Sequence, residues 1–221
     1  MHFRITHFNS LYFDLDDTLY PASSGLWDAI RDRMNAYMQK IIDLPLPEII
    51  SLRQGYLEKY GTTLRGLQAH FKVDRDEYLA FVHDLPLEEY INPDPQLRTL
   101  LDSLPQRRWI FTNSDNNHAM RVLKILGVAD CFHGIIDIRA IDFACKPDKI
   151  AYQRALELTG ENDPKQCIIF DDSTRNLAPA HEMGFYTVLV GKNGAQASAD
   201  RTITSLHELK DSMPELWEAV S

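Results

Sequence analysis

Short apolar runs alternate along the chain with longer stretches in which apolar residues recur every three or four positions. Continuous apolar runs of this length are typical of parallel strands that are covered on both faces. They occupy residues 11–13, 109–111, 135–136, 167–170 and 187–190. Because the runs alternate with amphipathic helical stretches, the pattern predicts an α/β fold with a doubly wound, Rossmann-like parallel sheet.

Three helices are predicted between the later strands. Their apolar stripes lie at residues 119–126, 150–156 and 177–183, and a glycine follows each stripe. Glycine adopts the left-handed conformation that commonly ends a helix. Pro147 is predicted to open the second of these helices, since proline suits the first helical turn. The tail beyond Gly191 is less informative, although Leu206, Leu209, Met213, Leu216 and Trp217 could pack a final helix.

The region from Pro21 to Pro95 lacks this alternation of predicted strands and helices. It contains helical patterns at residues 27–42, 46–60 and 75–83, without a convincing buried strand. We therefore predict a small all-helical cap domain at residues 21–95, inserted after the first strand, and a core made of residues 1–20 and 96–221. Such an insert would lie over the carboxyl ends of the strands, where open α/β sheets bind their ligands.

Composition narrows the class of protein. The 221 residues are 44% hydrophobic and 25% charged, as expected of a soluble globular chain. The formal net charge of -9 argues against nucleic-acid or anionic-membrane partners, because both need a positive surface. No stretch approaches the roughly 20 apolar residues that span a bilayer. Residues 1–10 show no secretory signal, and three scattered cysteines predict no disulfide framework, so we expect a cytoplasmic protein.

Two carboxylates follow the first predicted strand. Asp14 and Asp16 are two positions apart, so at a strand end both can face one pocket. One could attack phosphorus while the other handles the proton on the leaving oxygen. The alternative is an acidic turn that only caps a helix, which is the more common use of such a segment taken alone.

Polar residues also mark three further points near predicted strand ends. Thr112 and Asn113 can offer a hydroxyl and backbone N–H groups to a phosphate. Lys146 can neutralise both a phosphate and a carboxylate nucleophile. Asp171 and Asp172 are hard oxygen ligands of the kind that Mg²⁺ accepts. Each feature alone also suits a helix cap or a surface lysine, but at one edge of one sheet they together predict a phosphate and magnesium site.

These motifs, in this order, resemble those of the haloacid dehalogenase (HAD) superfamily phosphatases. Residues 13–20 read FDLDDTLY and match the first family motif, while Thr112, Lys146 and the acidic pair at 171–172 match the other three. The helical region matches the family's C1 cap. The resemblance implies a Mg²⁺-dependent phosphohydrolase that acts on a small phosphorylated metabolite, as a monomer or homodimer.

The resemblance also implies a role for each matching residue. Asp14 would be the nucleophile, and Asp16 would protonate the leaving oxygen and then activate water. The phosphate would be held by Thr112, Asn113 and Lys146. Mg²⁺ would be bound by the side chains of Asp14 and Asp172 and the backbone carbonyl of Asp16, with Asp171 acting through water. Because haloacid dehalogenases lack the second acid, Asp16 makes dehalogenation improbable.

A narrower resemblance concerns the substrate. Residues 60–67, 111–119 and 170–176 are similar to the pyrimidine 5'-nucleotidase branch, whose members dephosphorylate UMP and CMP. Within the cap, Tyr60 could stack on a base and Arg65 could hydrogen-bond a base or ribose. Equally, Tyr60 could belong to the cap core and Arg65 to a solvated face.

Three other interpretations stay open. One is a sugar-phosphate phosphatase, and another is a phosphomutase with the same two aspartates and a C1 cap. The third is a catalytically silent protein that binds phosphate ligands on this fold.

Overall fold

The computed structural model describes residues 8–191 and 199–218. Residues 1–7, on which the prediction of no secretory signal largely depends, lie outside the described residues. Among the described helices, none combines the length and the apolar character needed to cross a bilayer.

Six strands form one parallel sheet with the order β3-β2-β1-β4-β5-β6. The strands are β1 (Ser10–Phe13), β2 (Arg107–Phe111), β3 (Gly134–Ile136), β4 (Cys167–Asp171), β5 (Tyr186–Val190) and β6 (Arg201–Ile203). The chain returns to the centre of the sheet after β3, so β1 and β4 are neighbours and the strand order reverses there. The doubly wound parallel sheet predicted from the apolar runs is confirmed, and β6 is an additional strand that the sequence pattern did not indicate.

Side chains of the central strands alternate between two apolar clusters. Leu11 and Phe13 of β1 pack on one face of the sheet, while Tyr12 packs on the other. In β4, Phe170 lies on the first face and Ile169 on the second. Because both faces are buried, these strands need apolar residues at every position, which explains their continuous apolar sequence.

Helices cover both faces of this sheet. They are α5 (Pro95–Ser103), α6 (Asn116–Leu126), α7 (Lys149–Thr159) and α8 (Thr174–Met183). Gly127, Gly160 and Gly184 end the last three in the left-handed conformation, as predicted. The predicted start of α7 at Pro147 is wrong. Asp148 still has an extended backbone, so the helix begins only at Lys149.

Four helices lie between β1 and α5. They are α1 (Leu26–Ile41), α2 (Leu46–Tyr60), α3 (Thr63–His70) and α4 (Arg75–Val82). The sequence pattern did not separate α3, whose first turn is capped by the Thr62 hydroxyl. At Gly66 a Cβ atom would lie 2.3 Å from the Tyr56 ring, so α3 can approach α2 this closely only with glycine there.

The four helices share an apolar cluster that includes Tyr37, Tyr56 and Tyr78, and Ile138 and Cys145 from the segment after β3 also belong to it. However, Leu26 and Ile30 at the start of α1 pack into the cluster on the first face of the sheet. The division into a cap of residues 21–95 and a core of residues 1–20 and 96–221 therefore stays a prediction.

The end of the chain differs from the single helix predicted for it. The short helix α9 (Leu209–Ser212) lies between two 3₁₀ turns, Leu206–Glu208 and Pro214–Trp217. Leu206, Leu209, Met213 and Leu216 are nevertheless buried in the cluster on the first face of the sheet. The apolar spacing thus identified the buried side chains, while Pro214 interrupts the helix that would have carried them.

Candidate active site

Lys146 joins the carboxyl ends of the two central strands. Its Nζ lies 2.8 Å from Asp14 Oδ1, just beyond β1, and 2.7 Å from Asp171 Oδ2, at the end of β4. The backbone N–H of Asp14 donates to the carbonyl of Phe170 at 2.8 Å, which continues the pairing of the two strands. All three side chains are buried, so the two carboxylates and the ammonium group form an ion cluster largely shielded from solvent.

Burial and charge oppose each other in this cluster. Burial raises the pKa of Asp14 well above its usual value, and the negative charges of Asp171 and Asp172 add to the rise, while Lys146 opposes it. Burial alone would lower the pKa of Lys146, but Asp14 and Asp171 raise it, so its amine stays protonated. Together with Asp172, the cluster contains three carboxylates and one ammonium group, so negative charge is in excess when all of them are ionised.

The donor set at this point fits a divalent cation. Asp14, Asp171 and Asp172 each offer an oxygen, and these atoms lie within 4.8 Å of one another. Burial, with the charges of Asp171 and Asp17, raises the pKa of Asp172 to about 7. A hard cation such as Mg²⁺ would relieve this repulsion, since it prefers carboxylate oxygens. Asp171 also accepts from Ser173 N, Asn176 Nδ2 and Lys146 Nζ, so its oxygens already have partners.

Asp16 lies in a separate, hydrogen-bonded pocket. Tyr20 Oη donates to Asp16 Oδ1 at 2.6 Å, Ser114 Oγ donates to Oδ2 at 2.8 Å, and His118 Nε2 lies 2.8 Å from Oδ1. Burial alone would raise the pKa of Asp16, but the electrostatic interaction with His118 and the hydrogen bonds with His118, Tyr20 and Ser114 lower this pKa below its usual range. Asp16 is therefore ionised in this arrangement, with its side chain held in a fixed orientation.

His118 belongs to an array that the sequence did not predict. Its ring stacks on that of His83 with centroids 4.3 Å apart, and His83 Nδ1 lies 3.0 Å from Asp115 Oδ2. Asp115 also caps α6, because its Oδ1 accepts from the backbone N–H of His118. The eight histidines have no metal-ligand spacing, and His83 and His118 come together only when α4 packs near the start of α6. The sequence did offer one signal for His118, namely its position in the first turn of α6, the helix that follows the end of β2.

Thr112 and Asn113, the two predicted phosphate ligands after β2, follow that strand directly. Thr112 is buried, and its hydroxyl accepts from the backbone N–H of Ser114 at 3.0 Å. The side chain of Asn113 exchanges two hydrogen bonds with the backbone of Lys146, at 2.8 and 3.0 Å. Asn113 therefore ties the end of β2 to the segment that positions the lysine.

A cavity of about 300 Å³ lies over these residues. Its floor, as we use the term below, comprises Asp14, Asp16, Asp17, Thr112, Asn113, Ser114, Lys146 and Asp172. Its wall comprises the lining residues of helices α1 to α4, among them Trp27, Arg31, Met34, Arg53, Leu57, Tyr78, Leu79 and Val82. The volume is at the lower end of the range for small-molecule sites. The structure thus brings the predicted catalytic and phosphate-binding residues together in one cavity.

The two predicted cap contacts are not part of the described lining. Arg65 pairs with Asp148 Oδ2 at 2.5 Å and also donates to Cys145 Sγ. Tyr60 Oη lies 2.9 Å from His70 Nε2. Each side chain thus has a protein partner, and neither residue lines the described cavity.

Comparison with known proteins identifies the family of this chain. A family model described as haloacid dehalogenase-like hydrolase matches residues 9–184. Phosphate metabolism protein 8 of Saccharomyces cerevisiae is 32% identical over 213 residues, covering 90% of this chain and 66% of that protein. The chain therefore spans slightly less than two thirds of this relative's length.

Two solved structures share the fold at lower identity. CbbY from Rhodobacter sphaeroides in complex with phosphate is 19% identical, with a TM-score of 0.66, over 91% of this chain and 96% of that one. The HAD-hydrolase YfnB from Bacillus subtilis bound to magnesium is 17% identical, with a TM-score of 0.60, over 93% and 98%. Because the family model matches most of its length, this chain belongs to the haloacid dehalogenase-like hydrolases.

Proposed function

We propose that the chain is a Mg²⁺-dependent phosphomonoesterase that forms an aspartyl-phosphate on Asp14, with pyrimidine nucleoside 5'-monophosphates as substrates. The observation that carries the chemistry is the buried contact of Lys146 Nζ with both Asp14 and Asp171. It supports a nucleophile that is held beside a permanent positive charge, where a phosphoryl group would gain negative charge during transfer.

In the first step Asp14 would attack phosphorus, and the ester oxygen would leave with a proton from Asp16. In the second step Asp16 would remove a proton from the water that hydrolyses the aspartyl-phosphate. The three hydrogen bonds that Asp16 accepts favour its ionised form, which suits this second step. For the first step it must carry a proton, and His118 Nε2 is a neighbouring group able to exchange one with it.

The proposed cofactor would be held by Asp14 and Asp172 with the backbone carbonyl of Asp16, and Asp171 would act through water. Mg²⁺ would neutralise charge on the transferred phosphoryl group. The acidic cluster supports this assignment, as does the magnesium bound to the related fold of YfnB. Thr112, Asn113 and Lys146 would bind the phosphate oxygens, and residues 21–95 would act as the cap that closes over them.

The proposed nucleotide substrate rests on the sequence resemblance and on the size of the cavity. The Saccharomyces relative is named for phosphate metabolism, which is compatible with a phosphatase. Phosphate release from UMP, CMP, AMP, sugar phosphates and phosphoglycolate, with and without Mg²⁺, tests the proposal. Turnover of UMP and CMP should exceed that of the others and should require the metal.

Equal turnover of all these substrates would reject the pyrimidine specificity and leave the phosphatase activity standing. Transfer of phosphate within a sugar phosphate, without net release, would indicate a phosphomutase instead. Trapping with BeF₃⁻ and Mg²⁺ tests the nucleophile directly. The wild type should form the complex, and the Asp14→Asn variant should not.

A further inference from the structure

The wall of the cavity contains a guanidinium group that is only partly paired. Arg53 of α2 donates from Nε to Asn35 Oδ1 at 2.9 Å, and Asn35 is itself buried. The two terminal nitrogens of Arg53 make no hydrogen bond to any residue that the structure describes. The Asn35 contact thus fixes the direction of the guanidinium group and leaves its other donors available to a ligand.

A buried hydroxyl lies in the same wall. Tyr78 is only 2% exposed, and its hydroxyl lies near the Thr63 side chain but has no partner with hydrogen-bond geometry within the described parts of the chain, since the Thr63 hydroxyl donates to Met34 Sδ. Its ring packs edge-on against Tyr37 with centroids 5.1 Å apart, so packing holds the hydroxyl in place. Burying a hydroxyl without a partner is unfavourable, so a ligand atom that paired with it would be stabilised there.

The charges in the cavity are unevenly distributed. Within the described lining, the carboxylates belong to the floor together with Lys146, Arg31 and Arg53 belong to the wall, and Arg175 of α8 donates to the carbonyl of Leu57. Arg31 is paired with Asp28 on its own helix. Burial lowers the pKa of Arg53, and the like charge of Arg31 lowers it further. Acceptor oxygens on a ligand would offset this positive charge.

We propose that Arg53 and the Tyr78 hydroxyl form a subsite that binds acceptor oxygens on the leaving group of the substrate. The inference rests on the proposed function in one respect, namely that the substrate is a phosphomonoester. Met34, Leu57, Leu79 and Val82 line the same cavity and would contact apolar parts of the leaving group. The acceptors could be carbonyl oxygens of a pyrimidine base or a carboxylate oxygen of a smaller phosphoester.

Three substrates separate these sources. The leaving group of UMP carries base carbonyls and ribose oxygens, that of phosphoglycolate carries a carboxylate, and that of phenyl phosphate has no acceptor beyond the ester oxygen. The value of kcat/KM is measured for each with the wild type, Tyr78→Phe and Arg53→Gln. Lys59→Gln is the matched control, because Lys59 is an exposed cation on the same helix and is outside the described lining.

We expect Tyr78→Phe to lower kcat/KM about tenfold for the substrate whose acceptor the subsite binds, and Arg53→Gln to lower it about 10- to 100-fold. Phenyl phosphate should change less than about twofold, as should every substrate with Lys59→Gln. Tyr78→Phe should not lower the melting temperature, because it removes a hydroxyl that is unpaired in the described structure. A loss confined to UMP assigns the oxygens of the nucleoside, and a loss confined to phosphoglycolate assigns the carboxylate.

Equal losses on all three substrates with Tyr78→Phe, or no loss on any, would overturn the subsite. If the wild type hydrolyses none of them, the proposed function fails instead. Calorimetric binding of UMP and phosphoglycolate to the wild type and to Tyr78→Phe then decides the subsite separately. Equal affinities of the two proteins for both ligands would overturn it, and weaker binding of either ligand by the variant would support it.

Discussion

The floor and the wall of the cavity treat their polar groups differently. In the floor, the catalytic side chains of Asp14, Asp16 and Lys146 already have buried partners within the protein, although Asp17 Oδ1 has none among the described residues. In the wall, the terminal nitrogens of Arg53 and the hydroxyl of Tyr78 have none among the described residues. A site that is paired in advance suits chemistry that is the same for every substrate, because no reorganisation is needed during the reaction. Unpaired groups suit recognition of the part that varies.

The comparison of floor and wall predicts the largest loss of activity when the nucleophile is replaced. Asp14→Asn keeps the volume of the side chain but removes the attacking charge, so kcat should fall about 10³-fold or more on every substrate. Steady-state phosphate release measures this loss. Asp32→Asn, an exposed change on α1, is the control and should stay near wild type. A loss of activity confined to some substrates would contradict the view that the floor performs the same chemistry on every substrate.

Lys146→Met should be nearly as harmful and should also destabilise the fold. It leaves Asp14 and Asp171 buried without their shared cation, a type of change that costs about 3–5 kcal/mol. Urea unfolding at pH 7.5 without metal measures the loss. Lys149→Met, an exposed change nearby, should cost less than about 1 kcal/mol. Similar stabilities of the two variants would show that the buried cluster does not depend on Lys146.

His118→Asn tests whether Asp16 depends on its array. Removal of the imidazole takes away a hydrogen bond that orients Asp16, so kcat should fall about tenfold while KM changes little. Kinetics with UMP and phenyl phosphate should show the same loss, because the leaving group is not involved. His181→Asn, an exposed change on α8, is the control. A change in KM without a change in kcat would indicate that His118 contributes to substrate binding and not to the chemical step.

The floor should also make the stability of the metal-free protein depend on pH. Burial and neighbouring charges raise the pKa of Asp172 from its usual 3.8 to about 7, so the folded state binds this proton more tightly than the unfolded state does. This contribution to stability is therefore present below pH 3.8 and is lost as the pH rises to about 7. Urea unfolding in EDTA should show the loss, and Asp172→Asn or added Mg²⁺ should reduce it. A slope unchanged by either would contradict the assignment.

The smallest effect is expected at Arg65. Its guanidinium is paired with Asp148 and lies outside the described cavity lining, so Arg65→Gln should change kcat/KM for UMP by less than about threefold. The ion pair is partly exposed and should contribute no more than about 1 kcal/mol to stability. Parallel kinetics with Arg53→Gln make the comparison direct. A larger loss with Arg65→Gln would indicate that Arg65 contacts the substrate, as the sequence predicted.

The apolar pattern predicted most of the fold because burial on both faces leaves little choice of residue. The runs at β1 and β4 could be read directly, and Gly127, Gly160 and Gly184 marked three helix ends. The pattern did not indicate β6, which has only three residues, one of them exposed. It placed the start of α7 at Pro147, although the preference of proline for a first helical turn did not outweigh the extended backbone of Asp148.

By itself, the sequence predicted a parallel sheet, the succession of β1 to β5 along the chain and the polar residues that would meet at one edge of the sheet, including Asp14, Lys146 and Asp171. Those positions follow from local patterns, since the ends of parallel strands necessarily meet at one edge. Only the tertiary structure showed that Arg53 and Tyr78, and not Tyr60 and Arg65, line the cavity, and that His118 contacts Asp16. These contacts depend on how separate helices pack on one another and on the sheet, which the residues of any one helix do not encode.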